Sequence, residues 1–397
     1  AFRRRDRARS ANRASKSSRT CTRERRQSFA LSFRFQGERG LPRVMLEKED
    51  AAYGELDLTA TAFRAAEKQY KLRLEEQFRI GANGRRRGGR FVAAPVDLSR
   101  ALDLSGGETK GKASLVREKA LDDGTISRVY ALDRHPGFYY VANALSAGEQ
   151  REWVTRAAKE LCEPPARTNF TRELGDLPEG LWSAAIADAM LVRDGANGCA
   201  WETPRKPIKR GDANEKFLAR RLLAKLRWAT VGSPFNWTER VYEPNVPRRP
   251  ISNELISLTR RIARAAPENW TFDGQAGLIN YYQPGDTLNA HVDDAENNLD
   301  RPIVSISLGC AGIFLLGHEN RDEEPTAMVL RSGDAVILGG ASRSCYHGVP
   351  RVFGCVDDPE DRESFPVPEA LRDDGWDSAL AEYASHTRIN ISIRDID

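Results

Sequence analysis

The sequence predicts an α+β chain in which a double-stranded β-helix core (jelly-roll, cupin-like) follows a largely helical front. Three observations predict it. After Trp270 seven short apolar segments succeed one another, separated by Gly, Pro and Asp turns, which is the texture of a sandwich or barrel. Before Trp270, apolar residues recur at helical spacing behind N-cap signals. Finally, none of the 397 residues lies in an uninterrupted apolar run of the roughly 18 that a membrane-spanning helix needs, while seven Trp, fifteen Phe and 40% hydrophobic residues argue for a packed core.

The chain begins with a basic leader, residues 1–45. Its first 40 residues hold thirteen Arg or Lys against three acids, an excess of ten, which leaves residues 41–397 at −6 within the chain's net +4. Rich in Arg, Ser and Ala, the leader fits an organelle transit peptide (mitochondrion or chloroplast), a nuclear-targeting segment or a solvated tail. Six cysteines show no C-x-x-C pair and no zinc-finger spacing. Buried thiols in an intracellular, reducing compartment are therefore expected, in nucleus, cytoplasm or organelle.

Residues 46–134 are expected to be a helical extension, with one helix over Thr59 to Phe78 and a mobile Gly/Arg loop over Ile80 to Arg90. Residues 135–270 form a mixed, helical region. Ser146 and Glu149 make a capping box ahead of Trp153, Ala157 and Leu161, and further helices are expected over Asn214 to Trp228 and Asn253 to Ala265. Residues 271–397 hold the strands: Leu278 to Tyr282, Leu288 to Val292, Ile303 to Leu308, Ile313 to Leu316, Ala327 to Leu330, Ala335 to Leu338 and Ile389 to Ile393.

Only five histidines are present, and two fall among these strands. Residues i and i+2 of a strand share a face, so His291 and Asp293 can project together, and His347 ends another segment after Gly339-Gly340. Two imidazoles and one carboxylate are the facial set of non-haem Fe(II), and zinc accepts them too. The segment Arg388 to Arg394 alternates strictly: Arg388, Asn390, Ser392 and Arg394 on one side, isoleucines on the other. Two arginines aimed inward need anionic partners, which a dicarboxylate would supply, whereas an exposed edge strand would leave them in water.

The combined motifs are Asn280-x-Tyr282-x-Pro284-Gly285, His291-x-Asp293, His347 and Arg388-x-Asn390-x-x-x-Arg394. They resemble the AlkB family of Fe(II)/2-oxoglutarate dioxygenases. PIVSISLG at 302–309, SGD at 332–334 and GGASRSCYHGVPRV at 339–352 extend the likeness, and IFLLG at 313–317 with RDEEPTAM at 321–328 is similar to the first AlkB homologue subfamily of eukaryotes. The resemblance covers roughly residues 60–397. It departs at His318, where the subfamily usually has Gly, and at a variable insertion over 357–385.

That resemblance implies Fe(II) held by His291, Asp293 and His347, with 2-oxoglutarate and O2 as cosubstrates. Arg388, helped by Tyr282, would grip the distal carboxylate of 2-oxoglutarate, while Asn280, Asn390 and Arg394 orient it. Residues 135–270 would form the nucleotide-recognition lid, with Arg167, Thr168 and Asn169 contacting substrate and His291 stacking on the base. A Pro-fixed turn is the plainer reading of that loop. The implied reaction is oxidative demethylation, or hydroxylation of a methyl group, on nucleic-acid bases by a monomer. Expected substrates are 1-methyladenosine or 5-methylcytidine in tRNA, or N6-methyladenine in DNA. A protein or small-molecule oxygenase of the same fold, and an inactive nucleic-acid-binding module, are the alternatives.

Overall fold

The computed structural model describes residues 61–80, 86–107, 109–194, 198–236, 238–243, 245–268, 270–354, 365–372 and 374–397. The leader, Cys21, Cys355, the 46–60 start of the extension, the 81–85 tip of the Gly/Arg loop and part of the 357–385 insertion lie outside them.

Helix α1 (Ala62–Tyr70) starts at Thr61, whose hydroxyl accepts the Arg64 N–H, and ends where Lys71 turns extended (ψ 141°). The chain then forms β1 (Leu74–Ile80), paired antiparallel with β2 (Arg86–Ala93). The last five residues of the helix expected over 59–78 are thus strand, and the loop expected over 80–90 contains the first five residues of β2. Leu74-Glu75-Glu76-Gln77 are good helix formers, but intrinsic propensity is a weak prior that strand pairing overrides.

Next come β3 (Ala113–Ala120), β4 (Ile126–Leu132) and β5 (Phe138–Ala142), then α2 (Ala147–Lys159), opened by the expected Ser146/Glu149 capping box. Short helices α3 (Thr171–Leu174) and α4 (Leu181–Ile186) and the hairpin of β6 (Met190–Asp194) and β7 (Gly198–Glu202) follow. The helix expected over 214–228 is a 3-10 turn, Glu215–Phe217, and a short α5 (Ala219–Lys225), because Trp228 already begins β8 (Trp228–Gly232). A small hairpin of β9 (Phe235–Asn236) and β10 (Val241–Tyr242) leads to α6 (Asn253–Ala263).

All seven strands expected after Trp270 form: β11 (Ala276–Tyr282), β12 (Leu288–His291), β13 (Ile303–Gly309), β14 (Gly312–Leu316), β15 (Thr326–Leu330), β16 (Ala335–Leu338) and, after β17 (His347–Val352) and α7 (Ser378–His386), β18 (Arg388–Arg394). They build a double-sheet core. The major sheet has the order β3-β4-β5-β16-β13-β18-β11-β8 and the minor sheet β12-β17-β14-β15, antiparallel throughout.

The major sheet draws strands from 46–134, 135–270 and 271–397 alike, so neither expected boundary separates independent sheets. The 46–134 extension, expected to be helical, holds four strands and one helix among its described residues. Side chains alternate across the major sheet as period-2 geometry requires. Tyr130, Tyr140, Tyr282 and Val336 pack inward with Phe314 and Leu316 of the minor sheet. Val129, Val141, Tyr281 and Ile389, Ile391 and Ile393 face outward, under Trp153, Leu223 and Ile262 of the helices. No helix among the described residues is long and apolar enough to cross a membrane.

Candidate active site

The site lies between the sheets. Antiparallel register sets His291, the last residue of β12, directly opposite His347, the first of β17, with ring centroids 4.3 Å apart. Asp293 lies just past the end of β12 rather than on the strand, so period-2 geometry does not place it. Arg343 and Arg394 do. Arg343 donates to the Asp293 carbonyl oxygen at 2.7 Å, and Arg394 Nη2 sits 3.3 Å from Asp293 Oδ2. Asp293 is then 3.9 Å from His291 Nε2 and 3.8 Å from His347 Nε2, and the three donor atoms all lie within 4.8 Å of one another.

This donor set fits a metal ion. Each imidazole Nδ1 meets a backbone carbonyl oxygen, His291 that of Asn289 at 3.0 Å and His347 that of Cys345 at 3.2 Å. A carbonyl can only accept, so Nδ1 carries the hydrogen and Nε2 keeps its lone pair for the metal. Burial, with His291 alongside, pushes His347 down to about 4, which keeps it in the neutral, ligating form. Burial alone would raise Asp293; Arg394, then the two imidazoles and Arg343, outweigh it and hold the carboxyl well below its usual range. Two imidazole nitrogens and one carboxylate on one side leave the other positions open, as non-haem Fe(II) requires.

Strand β18 faces this cluster as its alternation predicted, with the isoleucines in the helical layer. Register aligns Arg388 with Tyr282 and Asn390 with Asn280 on β11. Arg388 is 2% exposed; its Nη2 donates to Ser307 Oγ at 2.9 Å, and its Nε and Nη1 meet no partner. Gly312 makes room for it, since a Cβ there would come within 3.2 Å of Arg388 Cδ. Burial raises the Tyr282 phenol beside it, so the hydroxyl stays protonated. A buried guanidinium with two idle donors and a neutral phenol nearby is a fit for a carboxylate. Asn390 donates to Ser305 Oγ at 2.7 Å and the Ile306 carbonyl at 3.1 Å, and Asn280 reaches the Asn390 oxygen at 3.5 Å.

Arg394, expected to orient 2-oxoglutarate, has partners within the chain: besides Asp293 it donates to Glu296 Oε1 at 3.1 Å and Ser392 Oγ at 3.1 Å. Glu296, whose side chain is fully buried, also takes Arg343 at 2.9 Å and the Tyr242 hydroxyl at 2.6 Å. Arg394 is therefore held by the chain itself. Sequence reasoning missed Glu296, Arg343 and Tyr242; the only signal was one acid three residues past Asp293, ordinary in a chain with 57 acids.

Residues expected to touch substrate are occupied within the protein. Arg167 pairs with Glu243 at 2.5 Å, the Thr168 hydroxyl accepts the Phe170 N–H, and Asn169 bridges the Arg227 N–H and the Lys225 carbonyl. Their loop also forms an isolated bridge to β8, Thr168 opposite Ala229. This is how a turn packed on the core behaves. His318, which stands where the subfamily usually has Gly, stacks on buried His135 at 4.9 Å, and His386 bonds Ser385 and the Glu382 carbonyl oxygen.

A further contact reaches the metal strand from far upstream. The Glu67 carboxylate of α1, 6% exposed, accepts the Ala290 N–H at 2.7 Å, one residue before His291, on the outer edge of the minor sheet.

A family model described as the 2OG-Fe(II) oxygenase superfamily matches residues 183–394. The chain is 34% identical to the DNA N(6)-methyladenine demethylase ALKBH1A of Arabidopsis thaliana, across 86% of this chain and 97% of that one. It is 27% identical to the tRNA demethylase abh1 of Schizosaccharomyces pombe, across 85% and 96%. To the alpha-ketoglutarate-dependent dioxygenase AlkB of Escherichia coli it is 33% identical, across 41% and 74%. With the donor cluster, the arginine strand and these matches in agreement, the chain belongs to the AlkB-like 2OG-Fe(II) oxygenases, which use Fe(II), 2-oxoglutarate and O2.

Proposed function

We propose that this chain oxidatively demethylates, or hydroxylates methyl groups on, nucleic-acid bases: 1-methyladenosine or 5-methylcytidine in tRNA, or N6-methyladenine in DNA. The observation that carries the chemistry is the half-satisfied Arg388 beside the His291, Asp293, His347 cluster. The nucleic-acid class is supported by the relatives, named as DNA and tRNA demethylases.

In this reading His291, Asp293 and His347 hold Fe(II). Arg388 and Tyr282 take the distal carboxylate of 2-oxoglutarate, and Asn280 and Asn390 line the same inner row. Arg394 acts one step back, holding Asp293 in place. Bound together, the metal and 2-oxoglutarate supply an oxidation in which O2 is consumed, 2-oxoglutarate leaves as succinate and CO2, and the substrate methyl is hydroxylated. The residues' own work is to orient, to exclude water and to keep His347 neutral. A hydroxymethyl on nitrogen falls off as formaldehyde. Because a paired base cannot reach a pocket between two sheets, the target is unpaired or flipped out.

The working unit is proposed to be a monomer, which light scattering checks, and its compartment is proposed to follow from the basic leader. Purified protein with Fe(II) should convert 2-oxoglutarate to succinate and release demethylated nucleosides from total tRNA or genomic DNA, read by mass spectrometry. His291→Ala or Asp293→Ala should abolish both. Turnover that survives either change sinks the assignment, and succinate formed without any nucleoside change moves the substrate to a protein or small molecule.

A further inference from the structure

The outer face of the major sheet carries a feature the catalytic site does not use. A cavity of about 480 Å³ opens between the β3–β4 ribbon and the C-terminal half of α6. Its floor is apolar, with Val129, Val141 and Ile262, and its rim is cationic, with Arg117 and Lys119 from β3, Arg260 and Arg261 from α6 and Arg264 capping that helix; no acid lines it. Arg260 and Arg261 are partly neutralised by Asp273 at 3.5 Å and Glu149 at 2.9 Å. Arg117 donates only to the Arg264 carbonyl oxygen, and Lys119 and Arg264 form no ion pair among the described residues. Cations suit the end of α6 because its carbonyls carry partial negative charge. That account does not extend to β3, where Arg117 and Lys119, two residues apart, point at the same cleft.

Charge makes this location unusual. Residues 41–397 carry six excess negative charges, so a phosphate backbone is repelled by the body as a whole and can be held only where cations cluster. Position then sets the size of the ligand. Val129 and Val141 belong to the face opposite Tyr282 and Arg388, and β3 is one edge of the eight-stranded sheet while β8 is the other. Strand β18, which carries Arg388, is five strands from β3 in that sheet, about 24 Å at the usual strand spacing, and its arginines lie on the other face. A ligand that occupies both sites must pass round the sheet as well as along it, which suits a folded RNA better than a short oligonucleotide.

We propose that this cleft is a second nucleic-acid contact, holding the sugar-phosphate backbone of a large folded substrate whose target base sits in the catalytic pocket. The proposal rests on the nucleic-acid reading above and adds how substrates are told apart by size. The test compares the full chain with the double variant Lys119→Glu/Arg264→Glu, both positions being exposed. The probes are a tRNA-sized folded RNA carrying 1-methyladenosine and a hexanucleotide carrying 1-methyladenine.

The variant should raise KM for the folded RNA about tenfold with kcat unchanged, and flatten the slope of log Kd against log salt by about two, near one unit per lost phosphate contact. Hexanucleotide kinetics and succinate formation should not move. Equal KM and equal salt slope in the two proteins overturn the proposal. So does a variant that loses poly-glutamate binding while keeping RNA binding, because the cleft would then fit an acidic protein. A wild-type protein that makes succinate but leaves both the folded RNA and the hexanucleotide methylated removes the functional reading instead, and the RNA-binding slope still judges the cleft by itself.

Discussion

The two ends of β18 carry the same residue on the same face, and they differ in what completes them. Arg394 is finished by the chain: Asp293, Glu296 and Ser392 take its donors. Arg388 is buried as well and holds one protein bond, to Ser307, with Nε and Nη1 left over. The loop after β12 makes the difference, since it carries both acids to the Arg394 end. A buried charge lacking an internal partner persists where an external one arrives. One arginine is thus a structural clamp on a metal ligand, and the other a receptor for a carboxylate.

Exchanging each for a neutral side chain of similar size should expose that asymmetry. The largest effect is expected for Arg394→Met, which strands the Asp293 and Glu296 carboxylates together in the interior. It should lower stability by about 3–5 kcal/mol in urea titrations and weaken metal binding. Arg388→Met should leave the melting temperature unchanged or raised, while KM for 2-oxoglutarate rises roughly 100-fold, the worth of a charge-assisted pair. The reverse pattern, a tolerated Arg394→Met and an unfolded Arg388→Met, would remove the distinction.

Glu67 sharpens it from another direction, as a buried acid completed by the backbone N–H of Ala290 and by Arg64. Glu67→Ala should cost about 1–2 kcal/mol and lower affinity for Co(II), followed by its visible absorption. Glu67→Gln, which keeps an acceptor, should recover most of both. Recovery by Ala alone would mean that β12 needs no clamp.

The smallest effect concerns two imidazoles that burial depresses alike. His135 and His347 are each pushed down to about 4, but only His347 faces the donor cluster. For His135 the folded value lies below the unfolded 6.5, so the unfolded chain binds the extra proton between those limits. Stability is full above pH 6.5 and falls as pH drops toward 4. His135→Asn should flatten this acid limb by on the order of 1 kcal/mol between pH 7 and pH 5. An unchanged limb in urea unfolding would show that His135 protonates freely in the folded protein.

The part of the fold legible in the sequence is the part buried on both faces. Strands such as Ile303–Gly309 and Ala335–Leu338 read as apolar runs because sheet and helices cover them from either side. Strand β3 stayed hidden: seven of its eight residues are exposed, so ASLVREKA shows no pattern that burial could impose. Only Trp228 of strand β8 fell within an expected helix, because it continues the apolar spacing of α5, and pairing with β11, about fifty residues on, makes it the start of a strand.

By itself the sequence determined which atoms are available to the site: two imidazoles, one carboxylate and a strand that alternates arginine with isoleucine. For the arginine strand hydrophobic alternation suffices to aim the side chains, whereas Asp293, past the end of β12, is aimed by Arg343 and Arg394. Tertiary structure alone decided which charges are spent. Arg394 meets Asp293 and Glu296 about a hundred residues away, Glu67 meets Ala290 across 223 residues, and strands from every third of the chain share one sheet. Spacing cannot encode these pairings, because a buried charge is matched by whatever the folded chain brings within about 3 Å of it, however distant in sequence.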